Sequence, residues 1–231
     1  MFYISQATRT AFPIQKLSMK LIVVRNNSLQ NTFEKKDIIV NTLPDTALLK
    51  DGKPFFIPDF ANPCKLKAYF AVRICRLGRS ISQRFAHRYY DAITVGGTFI
   101  ADNLLNDCIK KGLPWDLATG FDGATPIGKF QLLYDIESLN NDAIEVWHSF
   151  KPLSPEYNLR LTINGKTFTT GNTAQLTNHI DEVIAYISQY YTLRQGDIIF
   201  LGNDEPSEQV FINDKIEGYL NDQLVLKFNI K

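Results

Sequence analysis

The chain has 231 residues, 45% of them hydrophobic and 21% charged, a balance that suits a soluble globular protein with one sizeable core. Twenty-five basic against 24 acidic residues give a formal net charge of +1, and no segment carries the dense Lys/Arg stripe of a nucleic-acid footprint, so no nucleic-acid partner is expected. No uncharged apolar run approaches the roughly 20 residues of a membrane-spanning helix, and Cys64, Cys75 and Cys108, odd in number and without C-x-x-C spacing, indicate neither a disulfide framework nor a zinc site.

A reducing cytoplasm is the compartment this cysteine usage predicts. Residues 1–18, MFYISQATRTAFPIQKLS, hold two basic groups and no acid. They read as an N-terminal extension upstream of a start at Met19, with a transit-peptide composition as the alternative. From Met19 the chain is expected to form one globular unit from two stretches, 19–60 and 61–231. The run KLIVV is strand-like, and the polar stretch Arg25 to Asp37, which includes Glu34, reads as a surface loop or short helix. LPDTALLKDGKPFFIPDF, with three prolines and a D-G turn signal at Asp51-Gly52, reads as extended chain turning Phe55, Phe56 and Ile57 inward.

Cys64 to Leu105 is the centre of the pattern. Lys65 to Arg76 alternates as a strand, with Leu66, Ala68, Phe70, Val72 and Ile74 on one face. Lys65, Lys67, Tyr69, Ala71, Arg73 and Cys75 occupy the other, so Lys67 and Tyr69 project side by side. After a turn at Gly78, a short helix capped by Ser80 or Ser82 is predicted to run through Ala92. AITVGGTFIAD then returns as a strand, broken at Gly96-Gly97.

Downstream, KKGLPWDLATGFDGATPIG reads as loop. NLRLTINGKTF is a hairpin with a type I′ signal at Asn164-Gly165. Asn178 to Tyr191 is an amphipathic helix burying Ile180, Val183, Ile184 and Ile187, with His179 in its cap region. The remaining segments give further strands. Strands outnumber helices, so the pattern predicts an α+β fold dominated by antiparallel sheet.

Several blocks together resemble one known family. TALLKDGKP, VRICRLGRSISQRFAHRYYDAITVG, KGLPW, GFDGATPIG, INGKTFTTGNTA, DEVIAYISQYYTL and RQGDIIF, in this order from Met19 onward, are similar to the fumarylacetoacetate hydrolase (FAH) family. The resemblance implies that family's mixed β-sandwich roll with a few short helices and, usually, a homodimer; for a non-catalytic member an active paralogue is the alternative partner. It also implies chemistry on small 2-oxo acids or acylpyruvates, by hydrolysis, isomerisation or decarboxylation, with one Mg²⁺ or Mn²⁺ held by three carboxylates. Hard cations prefer such charged oxygen ligands.

On this sequence the family's E-x-E pair falls on Lys67 and Tyr69, and its third ligand on Thr98. One ammonium and two neutral groups thus replace about three negative charges, and an ammonium a few ångströms away repels a divalent cation by several kcal/mol in a partly buried site. No metal cofactor is therefore expected. The arginine that the resemblance expects against a substrate carboxylate is Asp102, the lysine before G-F-D is Thr119, and the lysine before P-D is Leu43. The family's general-base histidine falls on Asn31, which cannot take up a proton, while Glu34 keeps the neighbouring acid. The threonine of a later G-T-P motif is Asn203, and only Gly171-Asn172-Thr173 and Gly120-Phe121-Asp122 survive.

Thr173 is either a donor to a bound carboxylate or a hydroxyl bonded within its own turn. His87, within the predicted helix, and His148, in an apparent insertion, read as structural or solvated side chains. Two functional expectations follow. One is a metal-free, non-catalytic member with a binding or scaffold role, its ligand region drawn from Lys67, Tyr69, Thr98, Asp102, Thr119, Thr173 and Asn203. The other is a rebuilt enzyme in which Lys67 acts electrostatically or as a Schiff-base amine, with Glu34 or Asp102 as acid/base.

Overall fold

The computed structural model describes residues 19–27, 38–50, 52–133, 156–202 and 207–231. Its strands are β1 (Leu21–Val24), β2 (Val40–Leu43), β3 (Leu48–Leu49), β4 (Cys64–Ile74), β5 (Tyr90–Ala101), β6 (Thr125–Pro126) and β7 (Gln131–Leu132). They continue with β8 (Asn158–Ile163), β9 (Lys166–Asn172), β10 (Ile198–Gly202), β11 (Glu208–Gln209), β12 (Lys215–Leu220) and β13 (Gln223–Asn229). The α-helices are α1 (Asp102–Lys111), α2 (Asp116–Thr119) and α3 (Ile180–Tyr190).

A large sheet runs β2-β1-β10-β4-β5-β7, with β11 also on β4. It is antiparallel except where β1 lies parallel to β10. A second, antiparallel sheet runs β13-β12-β8-β9, and β3 pairs with β6 in parallel. The architecture is the sheet-dominated α+β fold expected.

The alternation in β4 decides how the layers meet. Leu66, Ala68, Phe70, Val72 and Ile74 all enter the main core, where they join Leu159, Leu161, Ile216 and Phe228 of the second sheet. The same core takes Ile180, Val183, Ile184 and Ile187 of α3. Fully burying these four α3 side chains is worth on the order of 6–12 kcal/mol before the entropy of ordering them. His Nδ1 of residue 179 accepts the Asp181 amide at 3.3 Å, so His179 caps α3 as its position suggests.

The opposite face of the large sheet also packs. Leu21, Val23, Leu43, Ala47, Tyr69, Ala71, Ile127, Ile198 and Phe200 form a second, smaller cluster there. The hairpin turn between β8 and β9 has Asn164 at φ 52° and Gly165 at φ 79°, the two positive values that a type I′ turn demands.

Beyond the short α2 and β6 inside the segment read as loop, four local expectations are corrected. The predicted helix through Ala92 is a 3-10 helix over Gln83–Arg88, and β5 already begins at Tyr90. Buried Tyr90, Ala92 and Ile93 belong to the sheet, and the β-branched Ile93-Thr94-Val95 run favours strand over helix. Gly96-Gly97 does not break β5, which is continuous through both. A Cβ at residue 96 would sit 2.8 Å from the Phe200 ring, and one at 97 would sit 2.9 Å from Leu66, so the pair serves close approach.

The third correction is α1, which lies where the pattern suggested no helix. Its ends obey helix chemistry: Asp102 sits in the first turn, Lys110 and Lys111 in the last, and Gly112 at φ 64° closes it. Finally, of the three residues expected to turn inward, Phe55 is buried against Phe99 and Ile57 is half-buried, but Phe56 is exposed. Consecutive residues of an extended chain alternate sides, so all three cannot face one core.

Candidate functional site

The β4/β5 register sets the geometry of the site face. Lys67 pairs with Thr98, Ala68 with Gly97 and Tyr69 with Gly96. Directly opposed residues place their Cβ atoms about 4.5–5.5 Å apart on one face. Lys67, Tyr69 and Thr98 therefore share the face opposite the main core.

Their environments differ. Lys67 is half-buried, while Tyr69 and Thr98 are each only 2% exposed. The Tyr69 ring meets Phe200 edge-on, with centroids 6.3 Å apart, and lies over Gly202, its partner on β10. Tyr69 thus belongs to the packing of the second cluster. The Thr98 hydroxyl is buried and has no hydrogen-bond partner among the described residues. Leu43, where the resemblance expects a lysine, is buried in the same cluster as Tyr69.

Asp102 lies at the start of α1, just past the end of β5. Its carboxylate is 2.9 Å from the Lys65 ammonium and accepts from the Asn106 amide at 3.3 Å. Lys65 shares the odd-numbered face of β4 with Lys67, so this end of the strand offers the acid a neutralising partner.

Thr119 closes α2 and is fully buried. Its Oγ1 accepts from Arg25 Nη2 at 3.0 Å and donates to the Trp115 carbonyl at 3.2 Å. Arg25 Nε donates to Asn41 Oδ1 at 2.7 Å, and the guanidinium lies 5.4 Å from the Trp115 ring centroid. A cation therefore does stand where the resemblance expects the lysine before G-F-D, but it comes from the residue that follows β1. Sequence reasoning missed Arg25: a lone arginine opening a polar stretch carries no periodic signal, and its partner Thr119 is 94 residues away.

Thr173 Oγ1 accepts the Tyr157 amide at 2.9 Å, while the Thr173 amide donates to the Tyr157 carbonyl at 3.0 Å. The residue that bonds within this turn is its neighbour, Asn172 Oδ1 accepting from the Ala174 amide at 2.7 Å. The described contacts thus tie Thr173 to the chain entering β8. His87 is half-buried in the 3-10 helix, near Asp181, whose carboxyl is raised by burial against the opposing pull of His179, the Tyr90 hydroxyl and His87. Asn31, Glu34, His148 and Asn203 lie outside the described residues.

The donor set does not suit a divalent metal. On the face where three carboxylates would be needed stand an ammonium, a phenol held in packing and a hydroxyl. Among the described residues, no group of three His, Cys, Asp or Glu side chains is placed to hold an ion. No helix of the described chain is long and apolar enough to cross a membrane.

Comparison with known proteins agrees with this fold. The model of the fumarylacetoacetate (FAA) hydrolase C-terminal family matches residues 20–227. The chain is 27% identical over 188 residues to mitochondrial oxaloacetate tautomerase FAHD1 of Bos taurus, covering 81% of this chain and 78% of that one. It is 27% identical over 224 residues to the mitochondrial oxaloacetate tautomerase of Caenorhabditis elegans, covering 94% and 97%. A fumarylacetoacetate hydrolase family protein from Yersinia pestis superposes with a TM-score of 0.75 at 27% identity over 92% of each chain. A fumarylpyruvate hydrolase from Pseudomonas aeruginosa, solved with Mn²⁺ and pyruvate, shares the fold with a TM-score of 0.73 at 18% identity, over 97% of this chain and 93% of that one. The chain belongs to the fumarylacetoacetate hydrolase family.

Proposed function

We propose that this chain is a metal-independent, non-catalytic member of the family that binds a small 2-oxo acid on the face shared by Lys67 and Thr98. One observation supports the reading. The register pairs half-buried Lys67 with Thr98, whose buried hydroxyl lacks a hydrogen-bond partner among the described residues. A cation beside an unsatisfied donor suits an anionic oxygen, since leaving such a hydroxyl unpaired costs about 1–3 kcal/mol. The relatives named oxaloacetate tautomerase suggest the 2-oxo acid class. Loss of the metal carboxylates and the pairing of Asp102 with Lys65 weigh against retained turnover. The protein would act in the cytoplasm as a homodimer, or as a heterodimer with an active paralogue.

Calorimetry with oxaloacetate and pyruvate, with and without Mn²⁺, tests this reading. Saturable binding that does not need the metal and weakens in Lys67→Met and Thr98→Val is expected. Stoichiometric Mn²⁺ binding at micromolar affinity, or Mn²⁺-dependent turnover, would sink it.

The half-burial of Lys67 also favours a second reading, a hydrolase, isomerase or decarboxylase rebuilt around this lysine. Its neutral amine would add to the ketone carbon of a 2-oxo acid and water would leave, giving an iminium that borohydride reduces to a stable secondary amine. A mass adduct on Lys67 after that treatment supports catalysis through it; an unmodified Lys67 and no turnover leave the binding role.

A further inference from the structure

We propose that a cavity of about 920 Å³ on the same side of the large sheet as the second cluster is a separate binding site for an organic carboxylate with an apolar body. Its floor and walls include Leu48, Ile127, Phe130, Ile198 and Leu226. Four cations line it: Lys50, Arg73, Lys129 and Lys227. No carboxylate lines it among the described residues, and neither do Lys67, Tyr69, Thr98, Thr119 or Thr173. The volume falls in the upper part of the range of about 300–1,000 Å³ typical of small-molecule sites, and an apolar lining with a few convergent charged groups is their usual chemistry.

The charges are only partly cancelled internally. Arg73 is held by Asp91 through two bonds of 2.9 and 2.7 Å and lies 5.4 Å from the Phe130 ring centroid, so its guanidinium is fixed and its charge largely balanced. Lys227 shares Glu217 with Lys215, at 3.4 and 2.9 Å, leaving one positive charge in excess there. Lys50 and Lys129 are exposed and have no carboxylate partner among the described residues. A net positive rim over an apolar floor selects an anion that also carries hydrocarbon. A bare inorganic ion would leave the floor unused, and a neutral lipid would leave the lysines without a partner.

The wall that carries Lys129 is fixed. The Lys129 amide donates to the Val225 carbonyl at 2.8 Å, the Gly128 amide to the Val95 carbonyl at 2.9 Å, and Thr94 Oγ1 to the Lys129 carbonyl at 2.8 Å. A Cβ on Gly128 would lie 2.8 Å from both Thr94 Oγ1 and the Val225 carbonyl oxygen, so this loop is seated as closely as glycine permits. A wall that need not be ordered on binding lowers the entropic cost of taking up a ligand. An isologous contact with a second copy, centred here, would bring the same four cations face to face, which argues against that occupant.

The test is a calorimetric titration of the full chain with sodium laurate below its micelle-forming concentration, with dodecanol as the neutral control and sedimentation velocity in parallel. The expected result is saturable 1:1 binding of laurate and much weaker binding of the alcohol, with unchanged sedimentation. Lys50→Gln and Lys129→Gln, both exposed and checked for folding by thermal melt, should each weaken laurate about threefold, and about tenfold together. Absence of saturable binding, equal affinity for laurate and dodecanol, or no effect of the two substitutions overturns the proposal. So does binding only to laurate-containing vesicles, or a dimer that Leu224→Glu, at the exposed edge of the cavity, converts to monomer.

Discussion

Replacing Tyr69 by alanine separates a packed residue from a pocket residue. A tyrosine buries about 150–250 Å², which at about 25 cal/mol/Å² corresponds to about 4–6 kcal/mol. Truncating a large buried aromatic residue usually costs about 3–5 kcal/mol. With the ring 2% exposed and edge-on to Phe200, Tyr69→Ala should lie in that range, a large share of a typical total stability of about 5–15 kcal/mol. The partner test is Gly202→Ala. The added Cβ would overlap the Tyr69 ring and come 2.6 Å from the Val24 carbonyl oxygen, so it should cost about 1–3 kcal/mol by overpacking. In the Tyr69→Ala background the ring overlap disappears while the Val24 contact remains, so part of the cost should be relieved, giving a coupling of about 1 kcal/mol. Urea unfolding followed by tryptophan fluorescence measures all four proteins, with changes read from the midpoint at constant slope. A loss below about 1 kcal/mol for Tyr69→Ala, or strict additivity with Gly202→Ala, would refute the packed reading.

Other expectations follow from single contacts. Gly165→Ala should cost about 1 kcal/mol in the same unfolding assay; nothing lies within 4 Å of the added Cβ, so the cost is that of φ 79° alone, and Asn164→Ala, at φ 52°, should act in the same direction. Lys65→Met and Asp102→Asn should each change stability by about 1 kcal/mol or less, because the pair is 31% and 21% exposed and therefore partly screened. Burial pushes the Cys64 thiol up to about 12 and the Cys75 thiol up to about 11 from an ordinary 9.0. Both acids are favoured as neutral thiols in the fold, so their contribution is fully present below pH 9 and is lost as pH rises toward 11–12. A chemical-denaturation series from pH 8 to 10.5 should show stability falling above about pH 9, and Cys64→Ala/Cys75→Ala should flatten that fall.

Legibility followed the range of the interaction. The inner face of β4 was readable because period-2 alternation is written locally, and each of its five residues enters the main core. The Asn164-Gly165 turn and the apolar stripe of α3 were readable for the same reason. Helix α1 was not, since DNLLNDCIKK carries only a narrow apolar stripe with Cys108 as its buried residue, although Gly112 and the terminal charges marked its ends. Gly96-Gly97 gave a true signal with an ambiguous meaning: glycine marks both bends and close approaches, and only the positions of Phe200 and Leu66 separate them. The site was legible as a set of positions through the resemblance to the family. What those side chains touch was not, because Tyr69 answers to Phe200 and Gly202, and Thr119 to Arg25, all distant in sequence.

The two faces of β4 carry different constraints, and the family fold rests on the inner one. The inner face meets the second sheet and α3, so any change there opens a cavity or strains the core. The outer face meets the smaller cluster and, at Lys65 and Arg73, the carboxylates of Asp102 and Asp91; at residue 69 it meets the backbone of Gly202, which leaves room for a ring. An apolar ring there avoids the desolvation that a carboxylate would suffer among Leu43, Ala71 and Phe200 without a compensating cation. Carboxylates on such a face, with no cation to balance them, would destabilise the fold, and a packed tyrosine stabilises it. Lys67 suits the same face for a different reason: a half-buried lysine can keep its ammonium toward solvent through its flexible stem. The outer face of the sheet therefore carries Lys67 without disturbing the core face, and Arg25, just past β1, sets a second cation against Thr119.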